Sequence, residues 1–323
     1  MSIAARWLTG DGDLDALAPD WAALWAAAPG ALPFQSPAWL LAWWRAFRPG
    51  RPWVLELRRD GRLAGVLPLY EDGGTLRLLG AGTTDLQDAL LDATLFPAVT
   101  EALRTLGAAL PGATLDLFDV MQGSALLDVP LPPGWREERR ECDVCPVMDL
   151  TRPLPAGAER NLRHARARAE RAGGLSVERA DADSLPALLD ALFRLHGARW
   201  AGRGEAGVLA SPEVRAFHRA AAAGLLAAGA LRLTALSLGG RLAAVHYGLR
   251  HRGRAFYYIG GFDPGMAPVG PGTLAVGHAI EEAVGEGARE FHFLRGREPY
   301  KYRWGAGDRV TVRRLVVIPR ISV

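Results

Sequence analysis

The chain has 323 residues, 49% of them apolar and 23% charged, with a formal net charge of +3. That length exceeds one ordinary core and predicts two domains. The composition excludes a disordered or low-complexity chain, and the weak charge gives no reason to expect a polyanion partner, so nucleic acid is disfavoured. The longest apolar run, 220–231, is far short of the ~20 residues needed to cross a bilayer. Residues 1–12 lack the apolar stretch behind a basic start that marks a signal peptide. A cytoplasmic protein with no membrane span is expected.

In chain order, helical patterns fall at 14–28 and 37–47. Alternating runs at 53–58 and 62–70 flank Asp60-Gly61, a strong hairpin signal. A strand at 75–79, a helix at 96–110 and a strand at 114–120 follow. A proline-rich break at 129–134 leads into 135–150, and Pro153 and Pro155 mark the connection between domains. Cys142 and Cys145 form a lone C-x-x-C with no second pair, read as incidental rather than as a metal or redox site.

The second half repeats the plan. Helices are expected at 159–172, 184–200 and 212–228, then strands at 231–238, 241–250 and 254–261. A helix at 272–286 and strands at 290–294 and 309–318 complete the chain. LRRDGRLAGV at 57–66 and LSLGGRLAAV at 236–245 agree at six of ten positions, and both halves go on to a helix and a strand, ending LDLF at 115–118 and FHFL at 291–294. Internal duplication accounts for this shared order better than two unrelated hairpins do. The domains are therefore drawn at 1–150 and 151–323.

Two segments of the second half carry candidate chemistry. The first is the Gly/Pro-rich stretch from Gly260 to Thr273, lying between a strand and a helix. Unpaired amides and partial positive charge at a helix N-terminus suit an anion, and Gly270 and Gly272 would let backbone approach one closely. An ordinary loop fits the same residues. In the first half Gly80-Ala81-Gly82 stands at the matching place, but Asp85, Asp88 and Asp92 follow and would repel a pyrophosphate. Val269, Gly270, Gly272 and Thr273, with Arg295 at the end of the next strand, are the candidate anion-binding set.

The second segment follows that strand. Glu298, Tyr300 and Lys301 lie within four residues, and Lys301 is the only lysine among 38 basic residues. A carboxylate, a phenol and an ammonium together can manage proton traffic; an aromatic turn anchoring the last strand is the bland alternative. His246, on the second strand of the hairpin, is a candidate base or a strand histidine with no chemical role. The arginines of 159–172, namely Arg160, Arg163, Arg166, Arg168 and Arg171, read as a solvated face or as a phosphate, glycan or RNA contact.

Several motifs together resemble the CelD-like acetyltransferases of the GNAT superfamily and, more distantly, the FemABX-like peptidyltransferases. They are Gly240-Arg241-Leu242-Ala243-Ala244, Tyr258-Ile259-Gly260-Gly261-Phe262-Asp263-Pro264, Gly270-Pro271-Gly272, and Phe293-Leu294-Arg295-Gly296 running into Glu298-Pro299-Tyr300-Lys301-Tyr302-Arg303-Trp304. Leu195-His196-Gly197-Ala198-Arg199-Trp200 and Phe34-Gln35-Ser36-Pro37-Ala38-Trp39-Leu40 extend the likeness upstream. The resemblance implies an α/β (α+β) fold of tandem GNAT-like domains, the first degenerate, each a mixed, mostly antiparallel sheet flanked by helices. It implies acetyl-CoA or another acyl-CoA as co-substrate, no metal, and an amine or hydroxyl on a small-molecule or glycan acceptor, in polysaccharide or cell-envelope metabolism. His292 stands where the family often has an acid. On this reading Glu298, Lys301 and His246 form the polar centre, with Tyr300 or Tyr258 as acid toward the thiolate, and His196, Arg199, Trp200 and Tyr258 line the acceptor groove. An aminoacyl-tRNA-dependent ligase of FemABX type and a non-catalytic accessory protein of polysaccharide synthesis are the alternatives. Acceptor, acyl length and oligomeric state are left open.

Overall fold

The computed structural model describes residues 3–202 and 204–320. In chain order the elements are β1 (Ile3–Leu8), α1 (Asp11–Ala27), α2 (Pro37–Phe47), β2 (Arg51–Arg59), β3 (Arg62–Asp72), β4 (Thr75–Leu78), α3 (Phe96–Ala109), β5 (Thr114–Met121), α4 (Ala125–Asp128), β6 (Arg136–Val144) and β7 (Val147–Asp149). They continue as α5 (Ala156–Arg171), β8 (Leu175–Arg179), α6 (Leu185–Ala201), α7 (Pro212–Ala227), β9 (Leu231–Leu238), β10 (Arg241–His251), β11 (Arg254–Phe262), α8 (Pro271–Gly285), β12 (Glu290–His292), α9 (Pro299–Arg303) and β13 (Val310–Val317). The chain divides into two compact units, Met1–Val144 with Arg309–Val323, and Cys145–Asp308.

Each unit is a mixed, mostly antiparallel sheet with helices against it. The first sheet has the order β1-β2-β3-β4-β5-β13-β6 and the second β7-β12-β11-β10-β9-β8. The duplication seen in the sequence is visible strand by strand. The β2–β3 and β9–β10 hairpins are antiparallel, β4–β5 and β11–β12 are the parallel pairs, and β13 and β7 then add antiparallel strands. Both hairpins turn through two consecutive residues at positive φ, Asp60 (49°) with Gly61 (80°) and Gly239 (55°) with Gly240 (76°). That backbone matches the right-handed twist of the strands it joins.

The last strand corrects the expected division at 150. Instead of closing the second half, β13 pairs with β5 and β6 in the first unit, while β7 pairs with β12 in the second. A buried side chain helps hold β13 in place. Arg314 donates to Glu137 at 2.6 Å and to the carbonyls of Leu126 and Val129 at 2.9 and 2.7 Å. Strands β1, β6 and β8 and the short helix α9 were not read from the sequence. β6 and β8 are largely exposed; β6 carries no apolar alternation and β8 is only five residues long.

The gap that the parallel pair could open is closed in the first unit. Segment 86–90 forms bridges on both sides, Gln87 with Val120 and Leu90 with Val66. Asp92 accepts from the Thr94 amide at 2.8 Å, so a carboxylate already caps the turn leading into α3. Asp88 is held by the Ser124 hydroxyl and the Ala89 amide, and burial pushes its carboxyl up to about 6. In this unit the chain's own segment 86–90 and its own carboxylates occupy that place.

Candidate functional site

In the second unit the parallel pair is short. β12 meets β11 only at Arg254/Glu290, Ala255/Phe291 and Phe256/His292. β11 runs on to Phe262, so among the described residues no strand lies beside 257–262 on that side. Beyond β12 the chain bends away, with Phe293 donating to the Pro146 carbonyl at 2.9 Å and Leu294 at φ 57°.

Within this free length β11 bulges. Tyr247 faces Ile259 and Gly248 faces Tyr257, which leaves Tyr258 as the extra residue. A bulge reverses the parity of the side chains that follow it. Tyr257 lies on the α8 face, stacked on His246 at 4.2 Å between centroids. Tyr258 lies on the α7 face, 5.5 Å from the His218 ring and 5.7 Å from Tyr247. Gly260 is back on the α8 face, and a Cβ there would sit 2.8 Å from the Tyr257 hydroxyl oxygen.

α8 begins immediately beyond β11, after a 3-10 turn at Pro264–Val269. Its N-cap is Gly270 at φ 89°, with no side-chain cap, and Pro271 at N1 carries no amide hydrogen. The first-turn amides of Gly272 and Thr273 therefore lack an intrahelical acceptor. Arg168 of α5 comes to the same point, donating from Nε to the Val269 carbonyl at 3.1 Å. A Cβ at Gly270 would stand 3.1 Å from its Nη2, so glycine keeps this cradle open. α5 approaches α8 closely because position 277 is glycine, where a Cβ would lie 2.5 Å from Leu162. Amides, a helix dipole and a guanidinium thus converge on one spot suited to a phosphate.

The turn after β12 is tied by the lone lysine. Lys301 is buried and donates to the carbonyls of Leu294, Arg295 and Gly296 at 3.1, 2.5 and 3.1 Å, and its ammonium lies 2.9 Å from Glu298. An ammonium has three hydrogens, and this turn uses them all. The lysine expected at the polar centre holds the turn rather than facing an acceptor. Its presence here in place of arginine follows from shape: a point charge fits among three converging carbonyls where a planar fork would not. Gly296, at φ 106°, leaves room for Glu298, since a Cβ there would be 2.5 Å from the carboxylate. Glu298 itself is more than half exposed. The exposed Arg295 lies in this turn, after β12 and not beside the α8 N-terminus in sequence.

Tyr300 is half-buried, edge-on to Phe293 at 6.1 Å. Burial, then the nearby Tyr257 phenol and Glu298, raise its hydroxyl above the ordinary phenol range, while Arg199 pulls it down. Burial pushes Tyr257 up to about 12, and Arg199 again opposes the shift. The Arg199 charge thus acts on both phenols. Arg199 reaches this place because α6 packs hard on β11. Position 261 is glycine, and a Cβ there would be 2.6 Å from the His196 nitrogen. One turn further along α6, the guanidinium stands 5.2 Å from the Phe262 ring.

The remaining expected residues divide. His196 accepts from Trp200 Nε1 at 2.9 Å, and burial, then Arg199, push it down to about 4. Together with Tyr258 these two residues lie on the α6–α7 face. His246 does not fit the base role. It is 2% exposed, neither ring nitrogen has a partner among the described residues, and burial, then His278, push it down to about 3. It is a neutral platform under Tyr257. His292 is buried on β12, 3.1 Å from Glu290 and stacked on Phe256. Cys142 is exposed and Cys145 is buried, and they are not joined as a disulfide; among the described residues no group suits a metal ion.

Arg168 and Tyr257 were not singled out from the sequence. Arg168 was one of five helix arginines, and only its half-buried position beside Ala165 marks it out. Tyr257 was hidden by the bulge, since simple alternation gives its neighbour the opposite face.

A short parallel pair, a bulged free strand and an uncapped helix N-terminus define a GNAT-like fold. Residues 156–302, which span α5 to most of α9, match the family model of the acetyltransferase (GNAT) domain. No curated protein sequence matches the chain. Among solved structures the chain is similar to FemX, with a TM-score of 0.65 at 11% identity over 96% of each chain. It is similar to L-PGS from Bacillus licheniformis, with a TM-score of 0.59 at 14% identity over 97% of this chain and 93% of that one. A conserved protein from Bacteroides thetaiotaomicron gives 0.65 at 12% identity over 97% and 100%. Likeness at such identities speaks to the fold alone.

Proposed function

We propose that the protein transfers an acyl group from an acyl-CoA to an amine or hydroxyl acceptor, in polysaccharide or cell-envelope metabolism, and that the second unit does the chemistry. The observation that carries this reading is the open edge of β11 leading directly to the uncapped, arginine-flanked N-terminus of α8. Gly272 and Thr273 amides with Arg168 would hold the diphosphate, and the unpaired backbone of 257–262 would lie along the pantetheine arm. The glycine at 270 supports the fit, because any side chain there would fill the cradle.

In the transfer, the acceptor nitrogen or oxygen bonds to the acyl carbon as the carbon–sulfur bond breaks. One proton leaves the acceptor for a base, and one is given to the departing sulfur. Glu298, an exposed carboxylate, is assigned the first task. Tyr300, raised above the ordinary phenol range and so protonated at neutral pH, suits the second, with Tyr257 beside it. Lys301 holds the turn that carries Glu298, and His246 supports Tyr257.

A thermal-shift and calorimetric titration with acetyl-CoA, longer acyl-CoAs and bare CoA tests the donor. At a hundred times the dissociation constant, binding stabilises by about 2.7 kcal/mol, which is readily seen. No shift with any of them would sink the reading. The aminoacyl-tRNA alternative keeps one support, the exposed Arg160, Arg163 and Arg171 on α5. It requires RNA binding that weakens steeply with salt.

A further inference from the structure

The acyltransferase reading leaves the acceptor unnamed, and Arg199 narrows it. Two other half-buried arginines of the second unit, Arg232 and Arg250, both meet Glu286, at 2.9 and 3.2 Å, and Arg168 gives its Nε to the Val269 carbonyl. Among the exposed ones Arg166 pairs with Glu281, Arg219 with Asp190 and Arg297 with Asp308. Arg199 is half-buried yet has neither an ion pair nor a hydrogen bond with any described residue; its contact is the face of Phe262 at 5.2 Å. A guanidinium on an aromatic floor, at the strand edge where the sheet opens, has its donors available to a ligand.

We propose that the acceptor carries a carboxylate, and that Arg199 holds it above Phe262 while the acceptor's amine faces Glu298. This rests on the acyltransferase reading and deepens it. The charge count favours a carboxylate over a phosphate. One guanidinium matches one carboxylate in a two-pronged hydrogen bond, whereas a phosphate dianion calls for a second cation. The other buried cation of this region, Lys301, already spends its hydrogens on three carbonyls. A small zwitterion offers its carboxylate to the Arg199 guanidinium on the Phe262 face and its amine to the exposed Glu298 carboxylate. The acceptor class is therefore an amino acid or a compound that presents a free amine and a carboxylate together.

The test is calorimetry on the full chain with glycine, L-lysine, L-glutamate and L-phenylalanine, each against its matched carboxamide, which removes the anion and keeps the amine. At least one amino acid should bind ten times tighter than its amide. Arg199→Gln should erase that difference while leaving bare-CoA affinity within twofold. The wild-type comparison needs no variant, so a misfolded Arg199→Gln does not block it. If no member of the panel binds, if acid and amide bind alike, or if a folded Arg199→Gln still discriminates, the inference is overturned. Carboxylate discrimination without CoA binding would bring down the acyltransferase reading and leave this site standing.

Discussion

Replacing Lys301 by methionine tests the structural role of its ammonium. Methionine keeps an unbranched stem of similar volume and removes the ammonium. The side chain is 3% exposed, so the carbonyls of Leu294, Arg295 and Gly296 lose their common donor and Glu298 loses its partner 2.9 Å away. A hydrogen bond to a charged group contributes about 1.5–3 kcal/mol, and breaking a buried pair costs about 3–5 kcal/mol. Glu298 is exposed and rehydrates, which puts the expected loss near the lower bound, about 3–4 kcal/mol. Leu294 at φ 57° adds to it, because an αL leucine persists only where its surroundings hold it. At roughly 2–4 °C per kcal/mol, the melting temperature should fall by about 10 °C. Thermal and urea unfolding, with CoA binding measured well below the new midpoint, check this. A variant as stable as wild type would refute the argument. Turnover is not the discriminating readout, because the same turn carries Glu298 and activity is expected to fall with it.

The buried histidines set an acid limit. His218 and His246 are each pushed down to about 3 by burial, against an ordinary value of 6.5. The unfolded chain takes up these protons first, so stability is full above about pH 6.5 and falls as pH drops toward 3. Between pH 7 and 5 each should cost about 2 kcal/mol, and the double variant His218→Phe/His246→Phe should lose about 4 kcal/mol less in urea unfolding; an unchanged pH slope would be the contrary result. Arg168→Gln should weaken CoA binding about tenfold and flatten its salt dependence, whereas equal affinity would remove Arg168 from the phosphate site. Gly261→Ala puts a methyl 2.6 Å from the His196 nitrogen and should cost about 1–3 kcal/mol in urea unfolding, and wild-type stability would show that α6 does not depend on this close approach.

Much of the architecture was legible in the sequence because it rests on local signals. Asp60-Gly61 and Gly239-Gly240 impose their turns by backbone conformation alone, and the repeat around them exposed the duplication. The Gly/Pro run before α8 marked the uncapped helix start, which depends on the residues at that start. Glu298, Tyr300 and Lys301 were picked out together, being close in sequence and joined in one turn.

What required the tertiary structure was every fact set by pairing at a distance. β13 belongs to the first sheet because Arg314 finds Glu137 and two carbonyls there, partners far away along the chain. The bulge at Tyr258 exists only relative to β10, so the faces of Tyr257 and Tyr258 could not be read from β11 itself. Burial turned His246 from a candidate base into a neutral platform, and three carbonyls turned Lys301 from a candidate catalyst into a tie. The sequence by itself determined residue types, turns and periodicities. Charge state and role were decided by which groups the folded chain brings within hydrogen-bonding distance, because desolvation and pairing are properties of neighbours in space.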